Sequence, residues 1–167
     1  PEETKLEAAQ RKVAELEAEF GPEHLDVAEA LKAMMMIHYG QAQYAKGTEV
    51  CRRVLAIREQ AQGPEHPEVA QSLSNLAVFL QSMGSYAEAR SLYERSLAIF
   101  EKTSGPEHPD VAIALNNLSL LLQNMGSYAE ARPLCERALT IFEKICEFLG
   151  IFLIEKKVIL LNFFDLK

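Results

Sequence analysis

The chain has 167 residues, 17 Lys and Arg against 24 Asp and Glu, a formal net charge of −7 and 49% hydrophobic residues. That length carries a core of domain size, and the composition fits neither a disordered acidic tail nor a membrane bundle. The acid excess argues against nucleic acid, whose phosphates call for a basic face; three Cys make no disulfide framework and the first residues are no signal peptide, so a reducing, cytoplasmic setting is expected.

The tetrapeptide Gly-Pro-Glu-His begins at Gly21, Gly63 and Gly105, a period of 42 residues that divides the chain into units 21–62, 63–104 and 105–146. The second and third units share 28 of 42 positions, the first and second 14. Ahead of them, residues 1–20 place Val13 where Leu97 sits and Leu16 where Phe100 sits, which predicts the second helix of a preceding partial unit. Its charge runs, Glu2-Glu3 and Glu15 to Glu19, read as a solvated helix face. The first unit is divergent: Ala42 stands where the others have a turn Gly, Gly47 where Ala89 stands, and Met34-Met35-Met36 replaces Leu-Ala-Val, which predicts a looser end.

The second unit gives the clearest helix pair. Pro67 suits an opening turn, where its missing N–H costs no intrahelical bond, and Glu68 complements the helix dipole. Val69, Leu73, Leu76, Ala77 and Leu80 then form a buried stripe. Met83-Gly84-Ser85 breaks the helix, with Gly84 left-handed and Ser85 as cap for the next. That helix runs from about Tyr86 to Lys102 and buries Ala89, Leu92, Tyr93, Ser96 or Leu97, and Ile99-Phe100. The third unit repeats this with Val111, Leu115, Leu118 and Leu122, then Ala131, Leu134, Leu139 and Phe142; Pro133, near the start of its second helix, should bend it rather than break it. In residues 147–167 the repeat stops. This segment holds 13 large apolar residues and no Ala, and it is read either as a capping helix or as sequence not selected as protein.

Small Ala77, Gly84 and Tyr86 at the turn, and Ala89 and Tyr93 beyond it, resemble tetratricopeptide repeats. The 42-residue period, Leu115-Asn116-Asn117-Leu118 and Tyr128-Ala129-Glu130-Ala131 resemble the longer subclass found in kinesin light chains and nephrocystin-3-like proteins. The resemblance implies an all-α fold, a right-handed α-solenoid of antiparallel helix pairs with three repeats plus a preceding helix. It also implies a non-enzymatic scaffold that binds a linear peptide of a protein partner in a concave groove lined by first helices. An assembly module acting through the exposed ends, self-association through the apolar tail and peripheral membrane binding through that tail are the alternative readings. The tail's longest apolar run, Ile151 to Ile154, is far short of the ~20 residues a spanning helix needs.

Opposite the buried stripe lie Gln71, Ser74, Asn75, Val78 and Ser82 in the second unit and Ile113, Asn116, Asn117, Leu120 and Asn124 in the third. The first unit contributes Glu29, Lys32, Ala33, Met36 and Tyr39. By the resemblance, Asn75 and Asn117 hold the position from which groove-binding members pair with peptide backbone; an amide offers both a donor and an acceptor for this. Lys32 is the only basic groove residue, which disfavours a clamp for a terminal carboxylate and favours a peptide with apolar anchors. His24, His66 and His108 occupy the same turn once per unit and read as copied turn residues rather than metal ligands; His38 has no evident partner. Cys51 and Cys135 share the position of Tyr93 two units apart, too far to bridge; Cys146 sits at the junction with the tail. The chain shows no phosphate loop, no His-Glu-x-x-His and no paired nucleophile and base, so no cofactor, metal or catalytic residue is expected.

Overall fold

The structure, a computed structural model, describes residues 4–148, and seven α-helices and no strand occur among them. The lone helix α1 (Lys5–Phe20) precedes three pairs: α2 (Leu25–Gly40) with α3 (Tyr44–Gln62), α4 (Pro67–Ser82) with α5 (Tyr86–Ser104), and α6 (Pro109–Asn124) with α7 (Tyr128–Phe148). Each helix packs chiefly on its neighbours in sequence, the arrangement of a solenoid. The chain after Phe148, with most of the apolar segment, lies outside the described residues, as do Glu2 and Glu3.

The turn histidines prove to be helix caps. His24, His66 and His108 sit at the N-caps of α2, α4 and α6, where each ring Nδ1 accepts the backbone N–H two residues on, from Asp26, Glu68 and Asp110, at 3.3, 3.2 and 3.2 Å. Each ring thereby satisfies a donor with no intrahelical acceptor. Between the helices of each pair, Gly84 and Gly126 take φ of 79° and 78°, and Ala42 is forced into the same left-handed turn at φ 53°, a strain of about 1 kcal/mol for a residue with a Cβ. Ser85 stands at the N-cap of α5 as expected, but its side chain makes no capping bond. Pro133 lies within α7, which continues through it.

The predicted stripe of α4 is buried throughout, and of the two alternatives in α5 it is Ser96, fully enclosed, that faces the core while Leu97 is half-buried. Leu139 is half-buried as well; Ala138 and Ile141 fill the core of α7 instead. Phe100 is covered by the following pair, whereas its counterpart Phe142, in the last described helix, stays half-exposed.

The divergence of the first pair is compensated rather than loose. A Cβ at Gly47 would lie 2.0 Å from the Phe79 ring, so the missing methyl of α3 makes room for the larger side chain of α4. Arg58 occupies the position of Phe100, yet it is only 4% exposed. Its guanidinium donates to Ser72 Oγ at 2.9 Å and to the Glu68 carbonyl at 3.2 Å. It also pairs with the carboxylates of Glu68 at 2.8 Å and Glu29 at 3.4 Å. Ser72 stands where the other pairs have Ala30 and Ala114, so the serine accompanies the arginine.

A clamp joins successive units. Arg53 reaches Glu17 at 2.5 Å and the Pro22 carbonyl at 3.0 Å; Arg95 reaches Glu59 at 2.7 Å and the Pro64 carbonyl at 3.2 Å; Arg137 reaches Glu101 at 2.5 Å and the Pro106 carbonyl at 3.3 Å. Beside these, Gln60 bonds Glu23, Lys102 bonds Glu65 and Lys144 bonds Glu107. Each partly exposed pair contributes at most about 1 kcal/mol, but the fork of an arginine fixes direction as well as distance.

The two ends of the stack differ in chemistry. Where α5 buries Ala89, Ser96 and Ile99, α1 carries Lys5, Lys12 and Glu15, all exposed. Only the side of α1 turned to α2, with Val13 buried and Leu16 packed beside it, remains apolar.

Candidate functional site

The first helices of the pairs, α2, α4 and α6, present a common face. On it Met36 is 69% exposed, Ile113 50% and Leu120 43%; Gln71, Ser82 and Asn124 are exposed too, and Lys32, Asn75, Val78, Asn116 and Asn117 are half-buried. The face is almost free of unpaired charge. Lys32 is engaged by Glu29 at 2.6 Å, which neutralises the one cation that could attract a carboxylate. Gln71 donates to the Asn75 side-chain oxygen at 3.2 Å and holds that amide in place.

Ser74 does not belong to this face. It is buried, its hydroxyl 2.7 Å from that of Ser96, which in turn donates to the Ala70 carbonyl at 2.7 Å. Two small hydroxyls satisfying one another inside the pair let α4 and α5 approach closely. Asn116, at the same register in α6, is half-buried.

Between α2 and α4 the face deepens into a cleft of about 280 Å³ lined by Met35, Met36, Tyr39, Asn75, Val78 and Phe79. Phe79 and Tyr39 meet edge to face at 5.5 Å, and Tyr39 meets Tyr44 at 5.8 Å. The expected residues Met36, Asn75 and Val78 come together here. Ile113, Leu120 and Asn124 belong to α6 and line no part of this cleft. Met35 and Phe79 were not expected at the site; the replacement of Ala89 by Gly47 was their only trace in the sequence. A wall of thioether, aromatic and aliphatic groups with a single amide suits one large apolar side chain, and methionines adapt to its shape.

Burial pushes the Cys51 thiol up to about 12 and, aided by Tyr39, the Tyr93 phenol to about 12; desolvation followed by the charge of Glu136 raises the Cys135 thiol. His38 is buried, with Nδ1 3.0 Å from the side-chain oxygen of Gln43. Among the described residues no group of His, Cys, Asp or Glu converges as a metal site, and no helix is long and apolar enough to cross a membrane.

Models of the tetratricopeptide repeat match residues 36–68 and 68–144. The chain belongs to the tetratricopeptide repeat family. Among solved structures it is similar to a kinesin light chain-like protein of Podosopora anserina with nearly identical repeats, at 27% identity and a TM-score of 0.71, over 84% of this chain and 66% of that one. A point variant of the same protein gives 26% identity, a TM-score of 0.74, and coverage of 85% and 67%. BtubC of P. vanneervenii shares the fold at 22% identity and a TM-score of 0.69, over 84% of this chain and 56% of that one. No curated protein sequence matches.

Proposed function

We propose that the chain is a protein-interaction scaffold whose first-helix face holds an extended, uncharged segment of a partner, with one large apolar side chain seated between α2 and α4. The cleft of Met35, Met36, Tyr39, Asn75, Val78 and Phe79 carries this reading. Asn75 and Asn117, one turn of the solenoid apart in register, supply amides that can pair with peptide N–H and C=O without reading side chains. The paired state of Lys32 and the neutrality of α4 and α6 beyond their first turns point away from strongly charged partners. Similarity to a kinesin light chain-like protein supports a cargo-adaptor version of this role, within a longer repeat protein.

The test is selection from a random peptide library on the intact chain. Selected peptides should carry a bulky apolar residue and little charge. Met36→Glu, at an exposed position, should reduce their affinity at least tenfold with no loss of helicity, and Asn75→Ala with Asn117→Ala should also weaken them. Unchanged affinity in both variants rules out the groove as the binding surface.

A further inference from the structure

The five methionines differ in what reaches them. Met34, Met35 and Met36 follow one another in α2, Met34 half-buried and Met35 buried, while Met83 and Met125 stand exposed at the C-caps of α4 and α6. Met36 is the most exposed of the five, and only Met35 and Met36 line the cleft between α2 and α4. Access to a dissolved oxidant and a place in the cleft therefore coincide at Met36 alone. Met83 is set apart further, because its sulfur accepts the Thr48 hydroxyl at 3.5 Å. The register makes the feature particular to α2. One unit on stands Val78, in the opposite wall of the cleft, and two units on stands Leu120; neither has a sulfur to oxidise.

We infer that the cleft is redox-sensitive: a peroxide converts Met36 to its sulfoxide and releases the partner segment, and a methionine sulfoxide reductase restores binding. The inference rests on the role of the cleft in the proposed function. The thioether sulfur attacks hydrogen peroxide, an S–O bond forms as the O–O bond breaks, and sulfur gives up two electrons. One oxygen stays on the sulfur and the other leaves as water with both hydrogens. Reduction returns two electrons and two protons from a pair of reductase thiols, which become a disulfide, and the sulfoxide oxygen leaves as water. Oxidation thus puts a polar, chiral group where an adaptable thioether stood. Seating a large apolar side chain against it strips the sulfoxide oxygen of water, which lowers affinity by about tenfold or more. Should the Asn75 amide take up that oxygen, the amide is lost to the partner's backbone, and affinity falls by that route instead.

The experiment treats the intact chain with hydrogen peroxide in steps at neutral pH, reading each step by peptide mapping and by affinity for a library-selected peptide. Met36 should gain one oxygen before the other methionines, and affinity should fall about tenfold or more in step with that gain. The two methionine sulfoxide reductases, one for each sulfoxide epimer, should restore both with dithiothreitol as the reductant. Bound peptide should slow oxidation of Met36 and leave that of Met83 and Met125, which line no part of the cleft, unchanged. Met36→Leu, which installs the residue that α6 carries at this register, should bind as the wild type does and keep its affinity through the treatment. Affinity that survives full oxidation of Met36 overturns the proposal and leaves the role of the cleft standing. A loss that Met36→Leu suffers equally also overturns it, by assigning the effect to another group. A peptide that neither shields Met36 nor weakens with Met36→Glu overturns both, because it then binds elsewhere.

Discussion

Arg58 provides the sharpest test of how this solenoid is held together. Replacing it by Ala deletes two methylenes and the guanidinium from a site only 4% exposed, and the methylenes alone cost about 1.5–2 kcal/mol at ~0.8 kcal/mol per buried methylene. The carboxylates left behind belong to Glu68 and Glu29, which are half or more exposed, so water solvates them and the larger penalty for stranding a buried charge does not arise. Restoring the apolar pattern of the next junction, by Arg58→Phe with Ser72→Ala, removes both the desolvated guanidinium and its hydroxyl partner. Exchanges of that kind are neutral or stabilising by up to about 4 kcal/mol. The expected order is therefore double variant equal to or above wild type, and Arg58→Ala lowest. Thermal unfolding followed by circular dichroism resolves it, since 1 kcal/mol moves the midpoint by roughly 2–4 °C at this size. If the double variant melts with or below Arg58→Ala, the network of Glu29, Arg58, Glu68 and Ser72 contributes net stability, which refutes this accounting.

Gly47→Ala should destabilise the fold by about 1–3 kcal/mol through overpacking on Phe79, although alanine is the better helix former by about 1 kcal/mol. Adding Phe79→Leu should recover most of the loss in urea titrations; recovery by less than half would show that the two positions are not coupled. Stability should also fall with rising pH. Cys51 and Tyr93 keep their protons in the native state to about pH 12, whereas the unfolded chain releases them from about 9 and 10, so it binds fewer protons above pH 9 and gains on the native state from there. Below about pH 9 the pair contributes no slope, and Cys51→Val with Tyr93→Phe should flatten the decline between 9 and 12. In native protein at about pH 8 Cys51 should resist alkylation that Cys146 accepts, a difference that peptide mapping reads directly.

Much of this architecture was legible because the repeat samples each position several times. Val69, Leu73 and Leu76 recur as Val111, Leu115 and Leu118, and the turn glycines Gly84 and Gly126 recur with them, so pattern alone located the helices and their breaks. The residues that escaped the pattern are those whose chemistry depends on a neighbour from another helix. Ser74 lies on the side opposite the largest apolar residues, yet Ser96 draws it inside. Arg58 looks like one more surface charge until Ser72, a serine at an alanine position, is set against it across the unit boundary. Phe79 reaches the cleft because Gly47 lacks a methyl. Such exchanges are visible only in pairs, and a scan that asks each residue for its own polarity passes over them. The clamp of arginine, glutamate and proline carbonyl was available to the same arithmetic, since Arg53, Arg95 and Arg137 and Glu17, Glu59 and Glu101 all recur at 42 residues.

That clamp bears on how such a chain can lengthen. Each arginine looks back by a fixed number of residues to a glutamate across the joint and to a proline carbonyl in the loop at the joint itself. A tandem duplication of 42 residues, wherever its breakpoints fall, carries donor and acceptor forward in phase and inserts a finished joint with the new unit. Excision of one unit heals in the same way. Recombination can therefore alter the number of repeats in a single step without any joint having to be invented, while point substitutions such as those at Arg58, Ser72, Gly47 and Phe79 give individual joints their own character afterwards.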